Sequence, residues 1–156
     1  MAKPNPDNYP SLCPYIIVAD GDAAIQFYTR IFGASPRMRL GRPDGRIGHA
    51  ELQIGDSVLM LADEAPQHSA YAPGSDDRRS VGLHVYVDDV DGVVGAAQAA
   101  GATMIDKPET KFYGDRTAAF RDPFGHIWYP ATHVEDVAPE EIQRRAAALF
   151  GGSERQ

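Results

Sequence analysis

Arg121-Asp122-Pro123-Phe124-Gly125-His126-Ile127-Trp128-Tyr129 is the stretch whose reading decides the fold. Asp-Pro opens a turn, because proline fixes φ and disfavours the helical region for the residue before it; Gly125 then supplies a positive φ. A hairpin corner follows. Thr117-Ala118-Ala119-Phe120 on one side and Ile127-Trp128-Tyr129 on the other are rich in strand formers. Side chains alternate across a strand, so Ile127 and Tyr129 share one face, and His126 and Trp128 the other. One face is expected to pack on a helix, with His126 and Trp128, and the other to line a cavity.

Working outward, the same order of elements occurs twice. Leu12 to Val18 reads as a strand, and Gly21-Asp22 starts an amphipathic helix with Ile25, Tyr28, Ile31 and Phe32 on one stripe, stopped by Gly33. Strands follow at Arg37 to Leu40, His49 to Ile54 and Ser57 to Ala62, separated by turns at Arg42-Pro43-Asp44-Gly45 and Gly55-Asp56. Polar, Pro/Gly-rich residues 64–80 form a connector. Val81 to Val87 is again a strand, Asp89-Val90-Asp91 leads a helix to Gly101, and strands follow at Ala102 to Ile105, Thr117 to Phe120 and Ile127 to Ala131. Val18 falls on Val87 and Met60 on Tyr129 at an offset of 69 (87 − 18 and 129 − 60), while Gly33-Ala34 falls on Gly101-Ala102 at 68 (101 − 33).

The fold class read from this repeat is α+β. Two βαβββ modules, at about 11–63 and 81–132, form curved mixed sheets within a single domain spanning 1–156. A C-terminal helix is expected at about 138–150, with proline near its first turn, acids after it and Ile142, Ala146 and Leu149 on one stripe.

The chain of 156 residues, 43% hydrophobic and 24% charged, is long enough to bury a core. Its formal charge, 15 − 22 = −7, argues against nucleic acid and anionic membranes as partners and favours neutral or cationic ligands. Cys13 is the single cysteine, which excludes an intramolecular disulfide and a cysteine-based zinc site. The proline-containing N-terminus shows no apolar signal region and no membrane-spanning run is present, so a cytoplasmic location is expected. A P-loop, a dinucleotide glycine fingerprint, a nucleophile elbow and HExxH are all absent.

The repeated module, the helix ending Phe32-Gly33-Ala34, the Val87-Asp88-Asp89-Val90-Asp91 step and the Asp122-Pro123-x-Gly125 hairpin resemble the vicinal oxygen chelate superfamily of glyoxalases, bleomycin-resistance proteins, fosfomycin-resistance proteins and extradiol dioxygenases. The resemblance runs from about Leu12 to Thr132, and the longer DPFGHIW form is similar to a bacterial branch of it. It implies curved sheets forming a cup and a homodimer, which the stiff, extended residues 1–14 would suit as an exchanged arm.

Metal enzymes of that family place one ligand on the first and last strand of each module. Those four points correspond here to Cys13, Met60, Gly82 and Tyr129. None is histidine or a carboxylate: glycine has no donor and a thioether is too soft for a hard cation that activates oxygen. This departure from the family's pattern argues against a bound metal, and no cofactor is expected.

Alternation from those points puts Tyr15 beside Cys13, and His84 and Tyr86 beside Gly82. With Met60, Tyr129, Tyr113 and Arg116 they make an aromatic, soft and sparsely polar lining, which suits an apolar-aromatic small-molecule ligand, neutral or cationic. The function expected is metal-independent small-molecule binding, as in drug- or toxin-sequestering relatives. The alternative is an enzyme of lyase, isomerase or dioxygenase type, using His84 and Tyr129 as an acid–base pair or an unrecognised divalent metal site. His49 with Glu51, and Asp115 with Thr117, share strand faces that point either inward or to water; His68 and His133 carry no assigned role.

Overall fold

The computed structural model describes residues 1–151. It forms two compact units, Met1–Arg79 with Pro123–His126, and Ser80–Asp122 with the described residues from Ile127 onward. Each unit contains one four-stranded mixed sheet. Among the described residues no helix is long and apolar enough to cross a membrane.

In the first unit the strands β1 (Tyr15–Val18), β2 (Ser35–Gly41), β3 (Ile47–Ile54) and β4 (Ser57–Asp63) lie in the order β1-β4-β3-β2, with β1 parallel to β4 and the other pairs antiparallel. Helix α1 (Gly21–Phe32) starts where the Asp20 carboxylate accepts the Ala23 amide, and it stops at Gly33 with φ of 65°. Its buried stripe is Gly21, Ala24, Phe27, Tyr28 and Ile31. The sequence stripe included half-buried Ile25 and Phe32 in place of Ala24 and Phe27, a small rotation about the helix axis. On β1, β3 and β4 the residues Ile16, Val18, Ala50, Leu52, Leu59 and Leu61 are buried. The opposite face carries the row Tyr15–Met60–Glu51–Met38, fixed by direct pairing across all four strands.

The hairpin tip belongs to this unit. Phe124 packs edge-on against Phe27 and Tyr28 with ring centroids 5.9 and 6.1 Å apart. Gly125 has φ of 95°, as the turn reading requires, and its carbonyl accepts the Arg79 Nε–H at 2.6 Å. His126 Nε2 lies 2.8 Å from the Ile17 carbonyl.

In the second unit β5 (Gly82–Tyr86), β6 (Thr103–Thr110), β7 (Asp115–Arg121) and β8 (Ile127–His133) repeat the arrangement in the order β5-β8-β7-β6. Asp89 caps α2 (Val90–Ala99), whose Val90 and Val94 pack with Ala118, Val87 and Met104. Trp128 is buried on the helix-facing side and donates its indole N–H to buried Asp122 at 2.9 Å. The first and last polar positions of the hairpin motif are thus one hydrogen bond. β6 runs five residues past the expected Ile105, through Pro108. It is an edge strand with register breaks, where a missing N–H is tolerated. The C-terminal helix α3 spans Pro139–Phe150; residues 152–156 of the expected domain lie outside the described part.

Candidate functional site

On the open face of the first sheet, Glu51 is 4% exposed yet ionisable, so its partners decide what it can do. Tyr9 Oη–H donates to Oε1 at 2.5 Å and His49 Nε2 lies 2.8 Å from Oε2. The His49 bond first, and then the Tyr9 bond, hold the Glu51 carboxyl below the ordinary carboxylate range. His49 Nδ1 is in turn 3.0 Å from the Tyr15 hydroxyl. Burial, first, raises the Tyr15 phenol, and the bond to Glu51 raises that of Tyr9, so both stay protonated at neutral pH.

Beside this chain of bonds lies a recess of about 660 Å³ walled by Pro6, Tyr9, Pro10, Cys13, Glu51 and Met60, with Asn5 and Ser11 on its exposed rim. The strands supply Glu51 and Met60, and the segment before β1 supplies the rest; it is not the extended arm expected from sequence, since it turns at Asp7–Asn8, where Asn8 has φ of 66°. Arg37 stacks over the Tyr9 ring at 4.3 Å and directs one nitrogen to the Asn8 carbonyl and the Gln53 side-chain oxygen. Chemically the recess combines apolar and sulfur contacts with one buried anion. The carboxylate-oriented imidazole of His49 also has the geometry of a general base.

The second sheet gathers His84, Tyr86 and Tyr129 on one face. His84 pairs across the strands with Tyr129, and its ring lies 4.9 Å from that of Tyr86. Tyr86 and Tyr129 are 64% and 44% exposed. The Tyr129 ring covers Gly82 so closely that a β-carbon at residue 82 would collide with it. Tyr86 Oη–H donates to buried Asp115 at 2.9 Å, and His133 bridges Asp115 and Asp136 at 2.7 Å each. A concavity of about 430 Å³ opens there, lined by Tyr86, Val87, Asp88, Thr132 and His133. Arg116 is elsewhere, paired through Nε and a terminal nitrogen with Asp91 at 2.7 and 2.9 Å. Tyr113 packs edge-on against Phe112.

Of the residues expected at a site, Cys13 and Met60 therefore share a recess, Tyr15 adjoins it on the Met60 row, and His84, Tyr86 and Tyr129 share a face of the other sheet. Glu51, His49, Asp115 and His133 were not selected from sequence. Period-2 alternation puts Glu51 and His49 on one face, but only tertiary partners reveal that Glu51 is covered by Tyr9.

The four points that a metal would need do not fit one. In the first unit both are sulfur, with the Cys13 thiol directed at the Pro10 carbonyl 3.5 Å away; in the second, a phenol ring covers a glycine. Soft donors and an occluded position are unsuited to a hard, oxygen-activating cation.

The His133 bridge gives a pH prediction. An imidazole donating from both nitrogens must be protonated. The bond to Asp115, then that to Asp136, raises the pKa of His133. Its contribution to stability is full below the unfolded-state value of about 6.5 and is lost as pH rises through the higher folded value. Asp115 is pushed up by burial, but its bonds from His133 and Tyr86 outweigh this and hold it low. Its contribution is present above the ordinary carboxylate range and is lost as pH falls through the folded value. NMR titration should place His133 above about 6.5 and show a fall in Asp115→Asn. Titration at or below the ordinary value would remove the bridge.

With this geometry in view, comparison with known proteins gives a consistent result. The family model described as Glyoxalase/Bleomycin resistance protein/Dioxygenase superfamily matches residues 12–129. An uncharacterized protein of Mycobacterium bovis is 38% identical over 146 residues, covering 92% of this chain and 96% of its own. One from Mycobacterium tuberculosis is also 38% identical, covering 92% and 86%. Among solved structures, TioX from a Micromonospora species has a TM-score of 0.62 at 26% identity, covering 80% of this chain and 99% of its own. A Burkholderia phytofirmans protein titled as a glyoxalase/bleomycin resistance protein/dioxygenase family enzyme has a TM-score of 0.62 at 23% identity, covering 78% and 97%, and shows likeness of fold alone.

Proposed function

The chain belongs to the Glyoxalase/Bleomycin resistance protein/Dioxygenase superfamily, and from that premise we propose that it is a metal-independent small-molecule-binding protein. The observation that carries this reading is the recess of the first unit, where Tyr9, Pro10, Cys13 and Met60 surround the buried carboxylate of Glu51. Apolar walls with one fixed polar group are what a small-ligand pocket needs. The ligand is apolar-aromatic and neutral or cationic: the Tyr9 ring and Met60 thioether offer flat, polarisable contact, and Glu51 stays ionised. Sequestration needs no more than this; a reaction of the family's metal enzymes needs ligands that the chain lacks at the corresponding points.

The test is calorimetric titration with a panel of flat heteroaromatic compounds. At least one should bind with an affinity unchanged by prior dialysis against EDTA, and Tyr9→Ala should weaken it about tenfold, the loss expected of an aromatic anchor. Affinity that collapses after EDTA, or a panel with no binder, would overturn the reading.

A further inference from the structure

The Tyr9 hydroxyl in the recess wall has one proton to give, and the structure shows where it goes. Glu51 is ionised and can only accept. Tyr9 therefore spends its proton on Oε1, and His49 must carry a hydrogen on Nε2 to meet Oε2. The Cys13 thiol points at the Pro10 carbonyl. Arg37 sits over the Tyr9 ring, outside the residues that line the recess, and directs one nitrogen to Asn8 and Gln53. What the Tyr9 hydroxyl, the Glu51 carboxylate and the Pro10 carbonyl leave free toward the recess is lone pairs; the exposed rim residues Asn5 and Ser11 add ordinary mixed polarity.

We infer that this recess selects flat aromatic cations rich in N–H donors and poor in acceptors, the amidinium or guanidinium class, because the side-chain oxygens of its inner wall, those of Glu51 and Tyr9, are left with lone pairs to offer. The inference rests on the proposed binding role and narrows it from neutral or cationic ligands to one hydrogen-bonding type. An anionic ligand of the same size would set its lone pairs against those of Glu51 and the Tyr9 phenol. A neutral amide would satisfy the wall with its NH₂ but leave its carbonyl oxygen without a donor, which lowers affinity. The chain's charge of −7 also favours cations, so the test must separate the wall from the overall field.

Benzamidinium, benzamide and benzoate share shape and differ in donors, and each can be titrated by NMR at neutral pH. Benzamidinium should bind at least about tenfold tighter than benzoate, with benzamide between them, and shifts should map to Tyr9, Cys13 and Met60. Glu51→Gln should remove most of the difference. Tyr9→Phe should weaken benzamidinium several-fold and leave benzoate unchanged. Benzoate binding as tightly as benzamidinium overturns the donor rule while leaving the recess reading standing. A preference that survives both substitutions and vanishes in high salt assigns it to net charge and also overturns the rule. No binding of any of the three compounds, together with no binder in the heteroaromatic panel, removes both.

Discussion

Asp63→Ala is expected to lower the unfolding free energy by about 2–6 kcal/mol, since it leaves two buried amides without an acceptor at about 1–3 kcal/mol each. Asp63 is 4% exposed and ends β4 on the helix-facing side of the first sheet. One oxygen accepts the Gly21 amide and the other the Ile47 amide, both at 2.7 Å. Gly21 is the first residue of α1 and Ile47 the first of β3, so one carboxylate joins three elements. Glycine at 21 belongs to the same arrangement, because a β-carbon there would press on Ile47 and on the carboxylate itself. Asp63→Asn retains a single oxygen and should lose about half as much, one amide rather than two. Urea denaturation reads both; an alanine variant within about 0.5 kcal/mol of the parent, the range of ordinary surface changes, would show that Asp63 has no such role.

Gly114→Ala is the second large expected effect, about 2–6 kcal/mol, combining about 1–3 for strained backbone with about 1–3 for overpacking. Gly114 has φ of 102°, and an added β-carbon would collide with the Glu135 carbonyl, a backbone atom that cannot swing aside. The Gly114 carbonyl accepts the Val134 and Glu135 amides at 2.9 and 3.0 Å. The same segment holds the His133 bridge and the Glu135–Arg145 ion pair to α3. The variant should therefore also lower hydrogen-exchange protection at Val134 and Glu135. Gly82→Ala makes the informative comparison. Its collision is with the ring of half-exposed Tyr129, which can rotate away, so the cost should stay below about 1 kcal/mol. Equal losses in the two variants would mean that backbone strain at residue 114 is not the cause.

Both predictions rest on residues that pattern reading passes over. Ala62 was the natural end of β4 by hydropathy, and an aspartate after it reads as a turn. Only the fold brings two amides to it. Glu51 is a similar case: alternation supplies its face, but an isolated carboxylate on a strand is usually solvated. Burial follows from the Tyr9 arm and His49 closing over it. His133 and Asp115 are 18 residues apart in the chain and meet because β7 and β8 pair in register.

What the amino-acid order determined by itself is the class of fold: the doubled strand and helix order, the Asp-Pro-x-Gly corner, the glycine after α1 and the alternation that sets Tyr15 with Met60 and His84 with Tyr129 on shared faces. Those are local preferences of φ, ψ and side-chain period, which act within a few residues and repeat along the chain. The tertiary structure decided which polar groups are buried and which partners they meet. Hydrogen-bond partners distant in sequence set the desolvation and charge of a buried group, and no local propensity encodes a partner as far away as Tyr9 is from Glu51, a separation of 42.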